Sequence, residues 1–262
     1  TSHAVIKERP IAGKVYDDVL IYDGDGHKAV SFQDTEEGVS KDYIFNKGAT
    51  LDGSEGTTHS TVLVHNWGNN PNSNPDLYNT KSSFIMGGGT DLILKNYRGY
   101  GTIEVEEGAS FIIRNGNICL ESGMVNNEYM DNTESAIHME SSGAINIVAE
   151  SFLIENKRTD RENAGGISIA GDNNAVGVTL AKSFKEKSIV FGIAAQADEA
   201  NSKTRVTIDA DEGIDINTYF RDVASLSGYK GAGVYLMAYS EPTAKTSASL
   251  ISKNGSICIN AQ

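Results

Sequence analysis

The stretch NGNICLES, residues 115–122, decides the fold, because it returns near the far end of the chain as NGSICINA, residues 254–261. In each copy Asn-Gly leads into Ile, Cys and a second aliphatic residue. Asn and Gly tolerate the positive φ that a sharp corner needs. The apolar-polar-apolar order after them has the period of a strand. A corner and a short strand are therefore written twice. The two copies hold the only cysteines in the chain, Cys119 and Cys258.

The same unit recurs along most of the sequence. Ile103-Glu104-Val105, Ile137-His138-Met139, Ile145-Asn146-Ile147, Phe152-Leu153-Ile154, Ile167-Ser168-Ile169, Val176-Gly177-Val178, Val206-Thr207-Ile208, Ile214-Asp215-Ile216 and Val234-Tyr235-Leu236 are short strand-like runs. Turn material such as SSG, GDNN, DEG and KNG separates them, and helical periodicity is nearly absent. Residues 191–218 align without a gap to 234–261, with identities at Ala195/Ala238, Ile208/Ile251, Ile214/Ile257, Ile216/Ile259 and Asn217/Asn260. Inexact repeats with Asn-Gly corners point to a solenoid.

The expected fold is all-β: a right-handed parallel β-helix with about three short strands per coil. An antiparallel sandwich would use two-residue hairpins and a more aromatic core. Here the inward positions are expected to be mostly Ile, Val, Leu and Ala, which suit a narrow interior. Long insertions are expected at 156–165, 196–204, 219–232 and 239–247, bulging from corners without breaking the ladders. The whole of 1–262 reads as one β-helix domain. Residues 86–262 form the regular coils, and 1–85 form irregular coils or a cap that shields the first rung's open edge. In that first part Val15 to Ile21, Ala29 to Phe32 and Thr61 to His65 read as strands.

Composition narrows the function. The net charge is −13, with 35 acids against 22 bases. That argues against nucleic acid, whose phosphates need a basic face, and against an anionic membrane surface. No apolar run approaches the roughly 18 residues that span a bilayer, so no membrane insertion of this segment is expected. Residues 1–20 lack the apolar core of a signal peptide.

GGTDLILKN (88–96), NGNICLES (115–122), GAINIVA (143–149), EGIDINT (212–218) and NGSICINA (254–261) together resemble the passenger domains of autotransporter (type V secreted) proteins, the β-solenoid adhesins of Gram-negative bacteria. The resemblance covers roughly residues 85–262 and is one of rhythm. Polysaccharide lyases, glycan hydrolases and phage tailspikes share that rhythm. It implies a secreted domain displayed on the bacterial surface, carried there by a C-terminal membrane barrel that this sequence does not contain. The chain is then expected to be a piece of a longer protein.

Chemistry is sparse. His3, His27, His59, His65 and His138 have no metal-like spacing, and no Gly-x-Ser-x-Gly elbow is present. Glycan hydrolysis would need two carboxyl groups about 5–9.5 Å apart. Asp209, Asp211, Glu212 and Asp215, and Glu104, Glu106 and Glu107, are dense enough to consider, but solvated corner acids account for them. Asp23-Gly24-Asp25-Gly26-His27 resembles the start of a calcium loop without its distal ligands, and a turn explains it. Neither catalytic residues nor a metal or cofactor are expected. The candidate binding residues are aromatics in or beside the inferred loops: Trp67, Tyr97, Tyr100, Tyr219, Phe220, Tyr229 and Tyr239. Exposed aromatics beside polar groups suit recognition of protein or sugar.

The expected function is cell-surface adhesion, with binding to a host receptor, a matrix protein, a glycan or another copy of the chain. A polysaccharide lyase or glycoside hydrolase on the same fold is the alternative. The cysteines follow from the fold. About four coils separate them, or roughly 19 Å at one strand spacing per coil. A disulfide needs Cα atoms within about 7 Å, so no bond between them is expected. Each should point outward from between two inward aliphatics.

Overall fold

The structure, a computed structural model, describes residues 8–22, 30–31, 41–53, 60–64, 81–96, 101–106, 108–122, 135–140, 142–156, 165–188, 191–219, 232–238 and 242–261. Its strands fall into successive coils of three. Coil 1 is β1 (Val15–Tyr16), β2 (Leu20–Tyr22) and β3 (Val30–Ser31). Coil 2 is β4 (Lys41–Phe45), β5 (Ala49–Asp52) and β6 (Val62–Val64). Coil 3 is β7 (Lys81–Met86), β8 (Asp91–Asn96) and β9 (Gly101–Glu106). Coil 4 is β10 (Ser110–Arg114), β11 (Asn117–Ser122) and β12 (Ser135–Glu140). Coil 5 is β13 (Ala144–Ala149), β14 (Ser151–Asn156) and β15 (Gly165–Ala170). Coil 6 is β16 (Ala175–Leu180), β17 (Ser183–Ser188) and β18 (Phe191–Ala197). Coil 7 is β19 (Lys203–Ala210), β20 (Gly213–Thr218) and β21 (Ala232–Ala238), and coil 8 is β22 (Lys245–Ile251) with β23 (Ile257–Ala261).

Each strand pairs with those three before and three after it, so first, second and third strands stack into separate sheets of eight, eight and seven strands. These are sheets 1, 2 and 3, and their pairing is parallel throughout, for example β11 with β8 and β14. The described residues contain no helix. The chain is a three-sided parallel β-helix, as its sequence rhythm indicates.

The period-two alternation sets which face is buried. On β11, Ile118 and Leu120 are buried while Cys119 between them points out. Stacking then turns single positions into ladders. Ile118 continues as Phe152, Phe184, Ile214 and Ile257, and Leu120 as Ile154, Glu186, Ile216 and Ile259. The interior is more aromatic than expected. Tyr16, Phe45, Phe84, Phe111, Phe152 and Phe184 are its largest fully buried side chains. Tyr16 stacks on Phe45 at 5.6 Å, and Phe84 meets Phe45 and Phe111 edge-on at 5.5 and 5.0 Å. Aromatic pairs in these geometries add to the area term.

The expected gapless repeat needs a correction. The offset of 43 holds in sheet 2, where Ile214, Ile216 and Asn217 pair with Ile257, Ile259 and Asn260. In sheet 1 Ile208 pairs with Leu250, and in sheet 3 Ala195 pairs with Leu236. A one-residue slip moves a side chain to the other face. Ile208 is therefore buried, whereas Ile251 is 45% exposed. The identical residues at 195/238 and 208/251 are not ladder neighbours, because the corner lengths differ between the two coils.

The three corners differ. The first, from sheet 1 to sheet 2, is tight: Asn115 and Gly116 have φ of 64° and 78°. A Cβ on Gly116 would lie 2.9 Å from both Met86 Cβ and Thr90 O, so glycine is needed there twice over. At the third corner, Ser142, Asn173 and Asn201 take positive φ on successive coils. The buried Asn174 beside them accepts from Gly143 N at 2.9 Å and donates to Ala170 O at 2.7 Å. Connections at the second corner, from sheet 2 to sheet 3, vary from the two residues 189–190 to the long span 219–231. The expected insertions 156–165 and 219–232 lie here. Those at 196–204 and 239–247 lie at the third corner and are shorter than expected, because β18 runs to Ala197, β19 starts at Lys203 and β22 starts at Lys245. A ladder of buried polar residues, Asn96, Ser122, Asn156, Ser188 and Thr218, lines the second corner from inside. Asn156 donates to Gly165 O at 2.7 Å, pinning the re-entry of the chain.

Candidate binding face on sheet 1

The outward ladders of sheet 1 are built from small residues in the middle coils. One ladder reads Lys81, Ser110, Ala144, Ala175, Arg205 and Ser247. The next reads Ser83, Ile112, Asn146, Gly177, Thr207 and Ser249. Short side chains in coils 4 to 6 leave a shallow groove of about 370 Å³ running along the solenoid axis. Lys81 stands at one end and Arg205 at the other, four rungs apart, or roughly 19 Å. A Cβ on Gly177 would meet nothing within 4 Å, so the groove floor is open to solvent there.

The face is basic on an acidic protein. The strands of sheet 1 carry Lys41, Lys81, Arg114, Lys203, Arg205 and Lys245 against only Asp42 and Asp209. Among the described residues Lys81, Arg114, Lys203, Arg205 and Lys245 have no acidic partner. Lys203 and Lys245 sit directly opposite each other in the ladder, an arrangement that like charges disfavour. Off this sheet, Lys95 pairs with Glu121 at 3.9 Å on sheet 2 and Lys182 with Glu150 at 3.7 Å at the first corner. Among the described residues Lys47, Lys185, Lys187 and Lys253 are also without an acidic partner, but they are spread over corners and sheet 2. The groove lining contains no Asp, Glu or His.

The acids considered for hydrolysis are dispersed. Asp209 lies on sheet 1, Asp211 and Glu212 at a corner, and Asp215 on the outer face of sheet 2. Asp211 accepts from the Asn254 amide at 3.0 and 3.2 Å, and Asp215 from Asn217 at 3.0 Å. Glu104 is buried and accepts from Ser60 Oγ at 2.7 Å, with His138 opposite it on the next rung. Ser60 is itself fully buried, so this is an internal tie rather than an accessible nucleophile. Glu107, the Asp23–His27 run, His3, His27, His59 and His65 lie outside the described residues. Among the described residues no group of three His, Cys, Asp or Glu side chains could hold a metal ion, and no helix is long and apolar enough to cross a membrane.

Of the candidate aromatics, Tyr219 alone is described. It is 37% exposed at the second corner, its ring 5.5 Å from Lys187 Nζ. It lies on a different edge from the groove. Trp67, Tyr97, Tyr100, Phe220, Tyr229 and Tyr239 lie outside the described residues. Sequence reading missed the sheet 1 face because its signal is not local. Lys81 and Arg205 come together only when the rungs are counted, and small residues between them carry no motif.

Glu186 is the outlier of the interior. It occupies a ladder position between Ile154 and Ile216 and is 1% exposed. Neither of its carboxyl oxygens has a hydrogen-bond partner, nor does the hydroxyl of Ser188 two residues on. Room for it is made by glycine: a Cβ on Gly166 would fall 1.6 Å from Oε1, and one on Gly192 2.5 Å from Oε2. Burial holds its pKa well above the ordinary 4.5.

No family model, curated protein or solved structure matches this chain.

Proposed function

We propose that the chain is an extracellular binding module, of the kind displayed by bacterial surface adhesins, which holds its partner on a rigid face without cleaving it. The carrying observation is the sheet 1 groove: open, basic, four rungs long and free of carboxylates. A glycosidase of this fold needs a pair of acids flanking the scissile bond, whereas a binding face needs only shape and complementary charge. Short, pinned corners keep the ladder residues in fixed register, so the face is preorganised and binding costs little ordering entropy.

A glycan and matrix-protein array run beside a polysaccharide-degradation screen tests this reading. Retention of one class of ligand with no soluble sugar products is expected. Release of oligosaccharides would overturn the reading in favour of a lyase or hydrolase, and retention of nothing would remove it as well.

A further inference from the structure

We propose that the sheet 1 groove binds an extended acidic polysaccharide, carboxylated or sulfated, laid along the solenoid axis between Lys81 and Arg205. The proposal rests on the reading of the chain as a binding module and names the ligand class and the site. Charge complementarity carries it. In a chain of net charge −13, five cations without acidic partners among the described residues are gathered on one sheet. A free surface of this kind gains by holding anions, and the Lys203–Lys245 juxtaposition is relieved when an anion sits between them.

The geometry favours a glycan over other polyanions. A rung repeats every 4.8 Å or so, close to the length of one sugar in an extended chain, so successive rings can meet equivalent ladder positions. The floor of Ser110, Ala144, Ala175 and Gly177 is flat enough for sugar rings, with Asn146 and Thr207 as hydrogen-bonding groups. Single-stranded nucleic acid relies on aromatic platforms for its bases. The one aromatic lining the groove, Phe111, is 0% exposed and turned into the core.

The test titrates the chain calorimetrically with heparin, polygalacturonate and neutral dextran, at low and raised salt, with single-stranded DNA as competitor. Binding to at least one acidic polymer, weakened by salt, and none to dextran is expected. Reversing both end charges (Lys81→Glu with Arg205→Glu) should weaken binding roughly tenfold or more for each cation reversed. Gly177→Trp fills the groove where a side chain meets no neighbour, and should abolish binding while leaving the circular dichroism spectrum and every cation in place. Lys187→Glu on sheet 2 should change nothing. Binding that ignores all three groove substitutions, matches dextran or is displaced preferentially by DNA would overturn the proposal, as would no binding to either acidic polymer. If the array retains neutral glycans or proteins while acidic polymers fail, the ligand assignment falls and the binding-module reading stands.

Discussion

Replacing Glu186 by Gln should make the protein less sensitive to pH, and the size of the effect follows from linkage. The carboxyl is buried without a hydrogen bond, and among the described residues no charged side chain faces it, Glu104 being the only other buried one and three coils away. Burial raises its folded pKa above the 4.5 of an exposed glutamate. The folded state thus binds this proton more tightly than the unfolded state. Its stabilising contribution is complete below pH 4.5 and is withdrawn as pH climbs from there towards the folded value, at about 1.4 kcal/mol per pH unit. Gln keeps the shape and does not titrate. As pH rises above 4.5 the wild type should therefore lose stability relative to Glu186→Gln, at up to about 1.4 kcal/mol per pH unit until the raised folded value is reached. Solenoid coils unfold partly independently, so hydrogen exchange of the β17 amides is the sharper readout, with urea midpoints alongside. Subtracting the variant removes the shared titration of the remaining acids. Parallel pH profiles for the two proteins would refute the reasoning, because they would show that the carboxyl is not the proton-linked group.

Three further substitutions probe the core and corners. Phe84→Ala removes the ring that packs on Tyr43, Phe45 and Phe111 and should cost about 3–5 kcal/mol in chemical denaturation; a loss under 1 kcal/mol or so would deny the aromatic ladder. Asn174→Ala leaves the Gly143 amide and the Ala170 carbonyl without their partner and should cost about 1–3 kcal/mol, with faster exchange of the Gly143 amide as the local sign. Gly166→Ala drives a methyl into Glu186 Oε1 and should be strongly destabilising alone. Combined with Glu186→Ala, which empties that space, it should be partly rescued in a double-mutant cycle. Strict additivity would place the two residues apart.

The strand-and-corner rhythm was legible wherever period-two alternation used aliphatics, as in Ile145-Asn146-Ile147, since burial of alternate residues is a local property. It failed for β17, SFKEKS, whose inward residues are Phe184, Glu186 and Ser188. Two of those three are polar, and for Glu186 it is Gly166 and Gly192 of sheet 3 that leave the room. The same limit hid β4 and β7, where inward, buried Tyr43 and Ser82 do not look like core. The outward direction of half-buried Cys119 was readable because it sits between buried Ile118 and Leu120; Cys258 is exposed together with its neighbours Ile257 and Ile259 on the last described strand. The Lys81–Arg205 groove was not readable, because register depends on corner lengths that vary from coil to coil, as the slip between Ile208 and Ile251 shows.

Three strands make one coil, and the ladders run in register along the stack. The cysteines measure this directly. Cys119, Leu153, Lys185, Asp215 and Cys258 form one outward ladder, and the two thiols are not joined by a disulfide. Spin labels on both and double electron–electron resonance should give a single distance near four rungs, roughly 19 Å between backbones plus the spread of the label linkers. A dominant distance beyond about twice that length, or a disulfide that leaves the thiols unlabelled, would contradict the account.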